Sequence, residues 1–273
     1  MSSRTGIASA LGVLLVLGAC APSFRLNRYP DDLTLYQASL SQLQRKHWDN
    51  AVTGFERLTL QLAARDSLLP LSHYYLGVAH KRNGEDLLAA QSFIRLVESF
   101  PADTLSDDAL FEAASSYQRL WRKPQLDPQY GYSAIQAYET LLASYPDSPR
   151  RADAERELAE LHDELAQKDF MTAEYYFRRR AYDSAIIYYQ DVMTHYPQTP
   201  TAKRAAFRML DTYGRLNYRE EAAEVCRTMM ERYPGDAEVV RACAGRMPAT
   251  TVDSTPLVRS AVQGGPGPMR ATR

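Results

Sequence analysis

From residue 31 to about residue 240, apolar side chains recur every three or four positions, and no stretch alternates apolar with polar. That period predicts α-helices and no strands. Neither glycine nor proline occurs between Arg150 and Tyr196. An aromatic residue followed by proline recurs at Phe100-Pro101, Tyr145-Pro146, Tyr196-Pro197 and Tyr233-Pro234. Proline cannot continue a helix, and it disfavours helical backbone in the residue before it, so the four dipeptides read as helix ends. Between these ends the periodic segments come in twos, which predicts helix pairs.

The second helix of each pair is the more regular. Ala51 with Phe55, Ala89 with Phe93, Ala134 with Tyr138, Ala185 with Tyr189, and Ala222 with Cys226 hold the same place in successive units. Alanine lets paired helices approach where a larger side chain would push the backbones apart. The first helices repeat more loosely. Leu76-Gly77 fills an L-G slot in unit two, and a later aromatic slot holds Tyr117, Tyr176 and Tyr213, with Gln42 and His80 in the earlier units. These slots follow the tetratricopeptide pattern of about 34 residues: L-G-x2-Y, then A-x3-F, then P. The expected fold is all-α, a tetratricopeptide-repeat solenoid of about five helix pairs with one long helix leading into the fourth unit.

Two insertions stretch the spacing. Lys123 to Tyr130 (KPQLDPQY) carries two prolines and is expected to be a loop within unit three. Residues 149–165 place Ala154, Leu158, Leu161 and Leu165 on one side and Glu155, Glu157, Glu160 and Glu164 on the other. Joined to residues 166–178, they predict one helix from about Pro149 to Arg178, roughly 45 Å long. The expected organisation is an N-terminal repeat half over 31–148 and a C-terminal half over 149–246 that ends in a short cap. A tail rich in Pro, Gly, Ser and Thr occupies 247–273 and is expected to be disordered.

The first thirty residues read differently. Ile7 to Leu17 is apolar or small, too short to span a bilayer and suited to a signal segment. It ends in Leu17-Gly18-Ala19-Cys20, which resembles the lipobox of bacterial lipoproteins. The resemblance implies removal of 1–19, lipidation of Cys20 and a stable membrane anchor. With Ala21 rather than Asp after the cysteine, it implies the periplasmic face of the outer membrane. Residues 20–30 are expected to be an extended tether. Cys226 and Cys243 leave two readings open: a disulfide in an oxidising compartment, or Cys226 simply filling an apolar helix position.

Across 273 residues, 45% are hydrophobic and 24% charged, with a net charge of −1. This is a globular composition without the basic surplus that binding to polyanions requires, so nucleic acid is not an expected partner. The five histidines, His47, His73, His80, His162 and His195, fall in no motif with catalytic or metal-binding spacing. There is no G-x-S-x-G, no phosphate-binding glycine loop and no C-x-x-C. No enzyme activity, cofactor or metal is expected. A lipoprotein enzyme on a repeat scaffold is the weakest of the readings, and a binding scaffold the strongest.

A stack of helix pairs offers a wall built from its first helices. Position five of that wall is Tyr36, Tyr74, Phe111, Phe170 and Phe207, and position thirteen is Gln44, Arg82, Arg119, Arg178 and Arg215. Rings beside arginines suit a polypeptide carrying apolar side chains and a carboxylate. Tyr36, Tyr74, Arg82, Phe111 and Arg119 are therefore candidates for a peptide groove. Phe170, Arg178, Phe207 and Arg215 are candidates for a partner surface of the C-terminal half. The competing reading packs the position-five rings against the next repeat and leaves the arginines as solvated helix ends.

Several features together resemble the BamD family of outer-membrane β-barrel assembly lipoproteins. They are the lipobox at Cys20, five repeat units, a long helix into unit four, Asp127-Pro128-Gln129 and Ala134 before Tyr145-Pro146-Asp147-Ser148, and Ala173-Glu174-Tyr175-Tyr176 before Ala181-Tyr182. The resemblance implies a non-catalytic scaffold. Its C-terminal half would dock on a POTRA-bearing barrel assembly subunit (BamA-like), and its N-terminal half would receive targeting segments of unfolded outer-membrane proteins. The alternative is a periplasmic tetratricopeptide organiser of the cell envelope, which would need a trimerising heptad segment that the sequence outside the repeats lacks.

Overall fold

The computed structural model describes residues 24–123 and 126–246. The expected signal segment 1–19, Cys20 and the tail 247–273 lie outside them. Eleven α-helices, and no strand, occur among the described residues. They are α1 Asp32–Gln44, α2 Trp48–Gln61, α3 Leu68–Asn83, α4 Asp86–Ser99, α5 Ser106–Leu120, α6 Gln129–Ser144, α7 Arg151–Arg178, α8 Tyr182–His195, α9 Pro200–Leu216, α10 Arg219–Arg232 and α11 Ala237–Cys243. The first ten form the five pairs read from the sequence, and α11 is the cap. The chain divides into two compact units between Leu165 and Ala166.

In the first unit each helix from α1 to α6 packs on the next. The alanine slot explains the close approach: Ala51, Ala89 and Ala134 are fully buried, as are Phe55, Phe93 and Tyr138 one turn later. Gly77 is held to glycine by the same packing, because a Cβ there would sit 2.7 Å from the buried Phe93 ring. The unit also takes in the first half of α7, where Ala154, Leu161 and Leu165 are buried and Glu157 accepts a hydrogen bond from the Gln118 side chain at 3.3 Å. The division thus falls inside the long helix, 17 residues later than the 148/149 boundary read from the loops. The covering helix belongs to the pair it covers.

The tether is corrected for residues 24–30. They form a 3-10 turn at Leu26–Arg28, and Phe24, Leu26 and Tyr29 pack against the core of the first pair. Three apolar side chains without helical spacing carry no periodic signal, yet together they bury enough surface to dock the segment.

In the second unit Ala166, Phe170 and Ala173 of α7 share a core with Ala185, Tyr189 and Val192 of α8 and with residues of α9, α10 and α11. Cys226 and Cys243 form a disulfide between α10 and α11, with Cα atoms 5.5 Å apart. That resolves the open reading: Cys226 fills the buried slot and is cross-linked as well.

Local chemistry sets the helix ends. Asp31, Thr199 and Asp236 accept hydrogen bonds from backbone N–H groups in the first turns of α1, α9 and α11. Phe100, Tyr145, Tyr196 and Tyr233 donate their N–H to the carbonyl four residues back, and the proline after each stops the helix. Between the helices of a pair a tight turn recurs. The N–H of His47, Glu85, Ala181 and Tyr218 reaches the carbonyl five residues back, on Gln42, His80, Tyr176 and Tyr213. The residue before each, Lys46, Gly84, Arg180 or Asn217, has φ between 60° and 82°, as this helix-ending turn requires. In the third pair the proline-rich loop replaces it.

Candidate functional site

The five position-five rings occupy equivalent places on α1, α3, α5, α7 and α9. In four units the ring meets the aromatic of its own second helix. Centroid distances are 6.0 Å for Tyr36–Phe55, 5.6 Å for Tyr74–Phe93, 5.5 Å for Phe111–Tyr138 and 5.6 Å for Phe170–Tyr189. Such tilted and edge-on pairs add about 0.5–1.5 kcal/mol to the area they bury. In the fifth unit the slot holds Cys226, and Phe207 lies instead beneath the Lys203 ammonium at 5.7 Å. Tyr36 is 9% exposed and Phe170 7%, whereas Tyr74, Phe111 and Phe207 are less completely covered or rest on the surface of the core. Burial pushes the Tyr36 and Tyr74 hydroxyls up to about 12, with Tyr75 adding to Tyr36 and the nearby Asp108 and Glu112 adding to Tyr74.

Arg82, Arg119, Arg178 and Arg215 stand eight residues further on, roughly 12 Å along an ideal helix, at the solvent-facing ends of α3, α5, α7 and α9. The Arg119 Nε lies 3.3 Å from Oδ1 of the buried Asp86. Arg215 pairs with Asp211 at 3.3 Å and caps the Phe177 ring at 5.0 Å. Tyr36 and Phe170 are buried, Tyr74, Phe111 and Phe207 are half-buried, and the four arginines are exposed.

The cations beside the rings are others. In the first unit Arg150 lies 5.0 Å above Phe111 and donates to Asp108 at 2.5 Å. Lys81 donates to Glu112 at 2.8 Å and to Ser115 at 3.0 Å, joining α3 to α5. In the second unit Arg204 covers Phe170 at 4.6 Å and Arg208 covers Phe177 at 4.1 Å. Arg208 also grips Glu174 with two hydrogen bonds, Nε at 2.6 Å and Nη2 at 2.9 Å, and the Tyr189 hydroxyl donates to the same carboxylate. Burial acts to raise the Glu174 carboxyl, but the bonds from Arg208 and Tyr189 outweigh it and hold the group below its usual range. Among the described residues no group of three His, Cys, Asp or Glu side chains is placed to hold a metal ion.

The family model for the YfiO outer membrane lipoproteins matches residues 30–229 of this chain. The chain belongs to the YfiO family. The outer membrane protein assembly factor BamD of Vibrio cholerae is 26% identical over 242 residues, covering 83% of this chain and 97% of that protein. Its namesake from Rickettsia prowazekii is 24% identical over 237 residues, covering 84% and 92%. Among solved structures the P58(IPK) TPR domain aligns at 14% identity with a TM-score of 0.42, over 79% of this chain and 55% of that one. That likeness is too low to add to the helix pairing described above.

Within this member of the YfiO family two site expectations need correction. Tyr36 and Phe170 are core residues, because each is held between its second-helix partner and a neighbour: Tyr75 at 6.3 Å for Tyr36 and the Arg204 guanidinium for Phe170. The repeat pattern alone does not point to Arg150, Arg208 or Glu174. The A-E-Y-Y segment does carry a signal, since an acid on an otherwise apolar face needs a buried partner. The partner lies 34 residues away, in another helix. No helix of the described residues is long and apolar enough to cross a membrane.

Proposed function

We propose that this YfiO-family chain is a non-catalytic scaffold of the machinery that assembles β-barrel proteins into the outer membrane. The match over residues 30–229 carries the reading, supported by BamD relatives aligned over nearly their whole length. The lipobox-like Leu17-Gly18-Ala19-Cys20 supports a lipid anchor at Cys20 on the periplasmic face of the outer membrane. The C-terminal half would dock on a POTRA-bearing subunit through the exposed Arg178 and Arg215 and the half-buried Phe207. In the N-terminal half, Tyr74, Phe111, Arg82 and Arg119 would receive targeting segments of unfolded outer-membrane proteins. Their rings offer apolar area and their guanidinium groups can bind a carboxylate.

Affinity purification of the full-length lipidated chain from detergent-solubilised envelopes tests the reading. Stoichiometric recovery of a large barrel protein carrying POTRA domains is expected. Recovery of the chain alone, or as a stable homotrimer, contradicts it.

A further inference from the structure

A groove on the first unit is left unused by the first-helix wall. It runs between α2 and α4 over α3, with a volume of about 190 Å³. Its walls carry Leu60 and Leu88, which are 82% and 45% exposed, and its floor carries Leu76 between two histidines. Leucines held this open to water beside a groove mark a surface suited to contact.

The two ends of the groove differ in charge. At one end His80 is engaged, with Nδ1 2.7 Å from Glu85 and Nε2 4.0 Å from Glu56. At the other end stands His73, only 7% exposed, with a buried Nδ1 that has no hydrogen-bond partner. Arg95, an exposed cation, lines the groove there. The burial of the ring and the charge of Arg95 both hold the His73 imidazole below its ordinary value, so at neutral pH the ring is an uncharged hydrogen-bonding group beside a cation. The unpaired Nδ1 is closed off from solvent, so the group at this end that is open to a ligand is the exposed Arg95 guanidinium. Glu56 and Glu85 keep negative charge at the His80 end, and so an anionic group is favoured only at the Arg95 end.

We propose that this groove binds a segment of a partner polypeptide in which an aliphatic side chain precedes an Asp or Glu. The aliphatic group would lie between Leu60 and Leu88, and the carboxylate would meet Arg95, close enough to the His73 ring for that ring to report its arrival. The proposal does not rest on the assembly reading, because short peptides report on the groove whatever the purification recovers.

The test uses the full-length chain and two acetylated, amidated peptides that differ only in Glu or Gln after a Leu-Leu pair. Binding is read by fluorescence anisotropy and by the His73 ring resonance in NMR. The Glu peptide is expected to bind about tenfold or more tightly than the Gln peptide and to move the His73 signal, the difference expected of a charge-assisted contact. Arg95→Gln, at an exposed position, should erase that preference without lowering the melting temperature. Leu60→Asn with Leu88→Asn should weaken both peptides. Equal affinity for the two peptides, a preference that survives Arg95→Gln, or absence of binding at millimolar peptide overturns the proposal. So does an equal His73 shift with acetate alone, which would mark a site for small anions only.

Discussion

The tyrosines that recur along the repeats have packing addresses. Tyr117, Tyr176 and Tyr213, one slot per first helix, pack against Tyr130, Tyr188 and Tyr218, which lie in or at the start of the paired second helix, at 6.3, 5.4 and 6.2 Å. Tyr138 and Tyr189 replace the phenylalanines of units one and two, and each hydroxyl donates to a side chain on its own first helix, Gln118 and Glu174. A buried ring with a polar tip fills space and also fixes register. Tyr36→Ala should therefore destabilise the fold by about 3–5 kcal/mol, the usual cost of emptying a buried aromatic site, while Arg82→Ala changes stability by less than about 0.5 kcal/mol. Urea unfolding of the two variants checks this. Equal midpoints would mean that Tyr36 is a surface residue after all. At this scale the alanine and aromatic slots were legible because burial imposes residue type directly. The direction of the position-five rings was not, since an aromatic at one register position suits a groove and a core equally.

At the scale of elements, two features escaped the helical period. The first is the recurring turn inside each pair. Gly84 and Asn217 announce left-handed backbone, but Lys46 and Arg180 adopt it as well, at φ of 63° and 61°, and their side chains give no hint of it. A left-handed residue with a Cβ costs about 1–2 kcal/mol. Lys46→Gly and Arg180→Gly are thus each expected to raise the melting temperature by a few degrees, read by calorimetry; a drop would show that these side chains contribute more than their backbone costs. The second feature is long-range pairing. The depressed Glu174 carboxyl gives a contribution to stability that is complete above its unfolded value of about 4.5 and is lost as pH falls through the folded value. The urea midpoint of the native chain should exceed that of Glu174→Gln at pH 7, and the gap should close below about pH 4.5 as the carboxyl protonates. A gap that is constant with pH would remove the Arg208 clamp from the account. The Cys226–Cys243 bond closes a 17-residue separation, worth about 3 kcal/mol if chain entropy dominates. Reduction should speed amide exchange throughout α11, and unchanged exchange would show that packing of Val239 alone holds the cap.

For the molecule as a whole, the helix pairs, the long α7 and the family resemblance were readable because each rests on local residue pattern. The division of the chain at Leu165 was hidden, since it depends on which pair the first half of α7 covers. So was the docking of Phe24, Leu26 and Tyr29, which arises from collective burial rather than from periodicity. The proposed role at this scale, a scaffold in the assembly of outer-membrane β-barrel proteins, rests on the family match over residues 30–229. Depletion of the chain from its own cells, with quantitative proteomics of the outer membrane as the readout, tests that role most directly. The account predicts a severalfold fall in integral β-barrel proteins while outer-membrane lipoproteins persist; barrel proteins maintained at their normal level after depletion would contradict it.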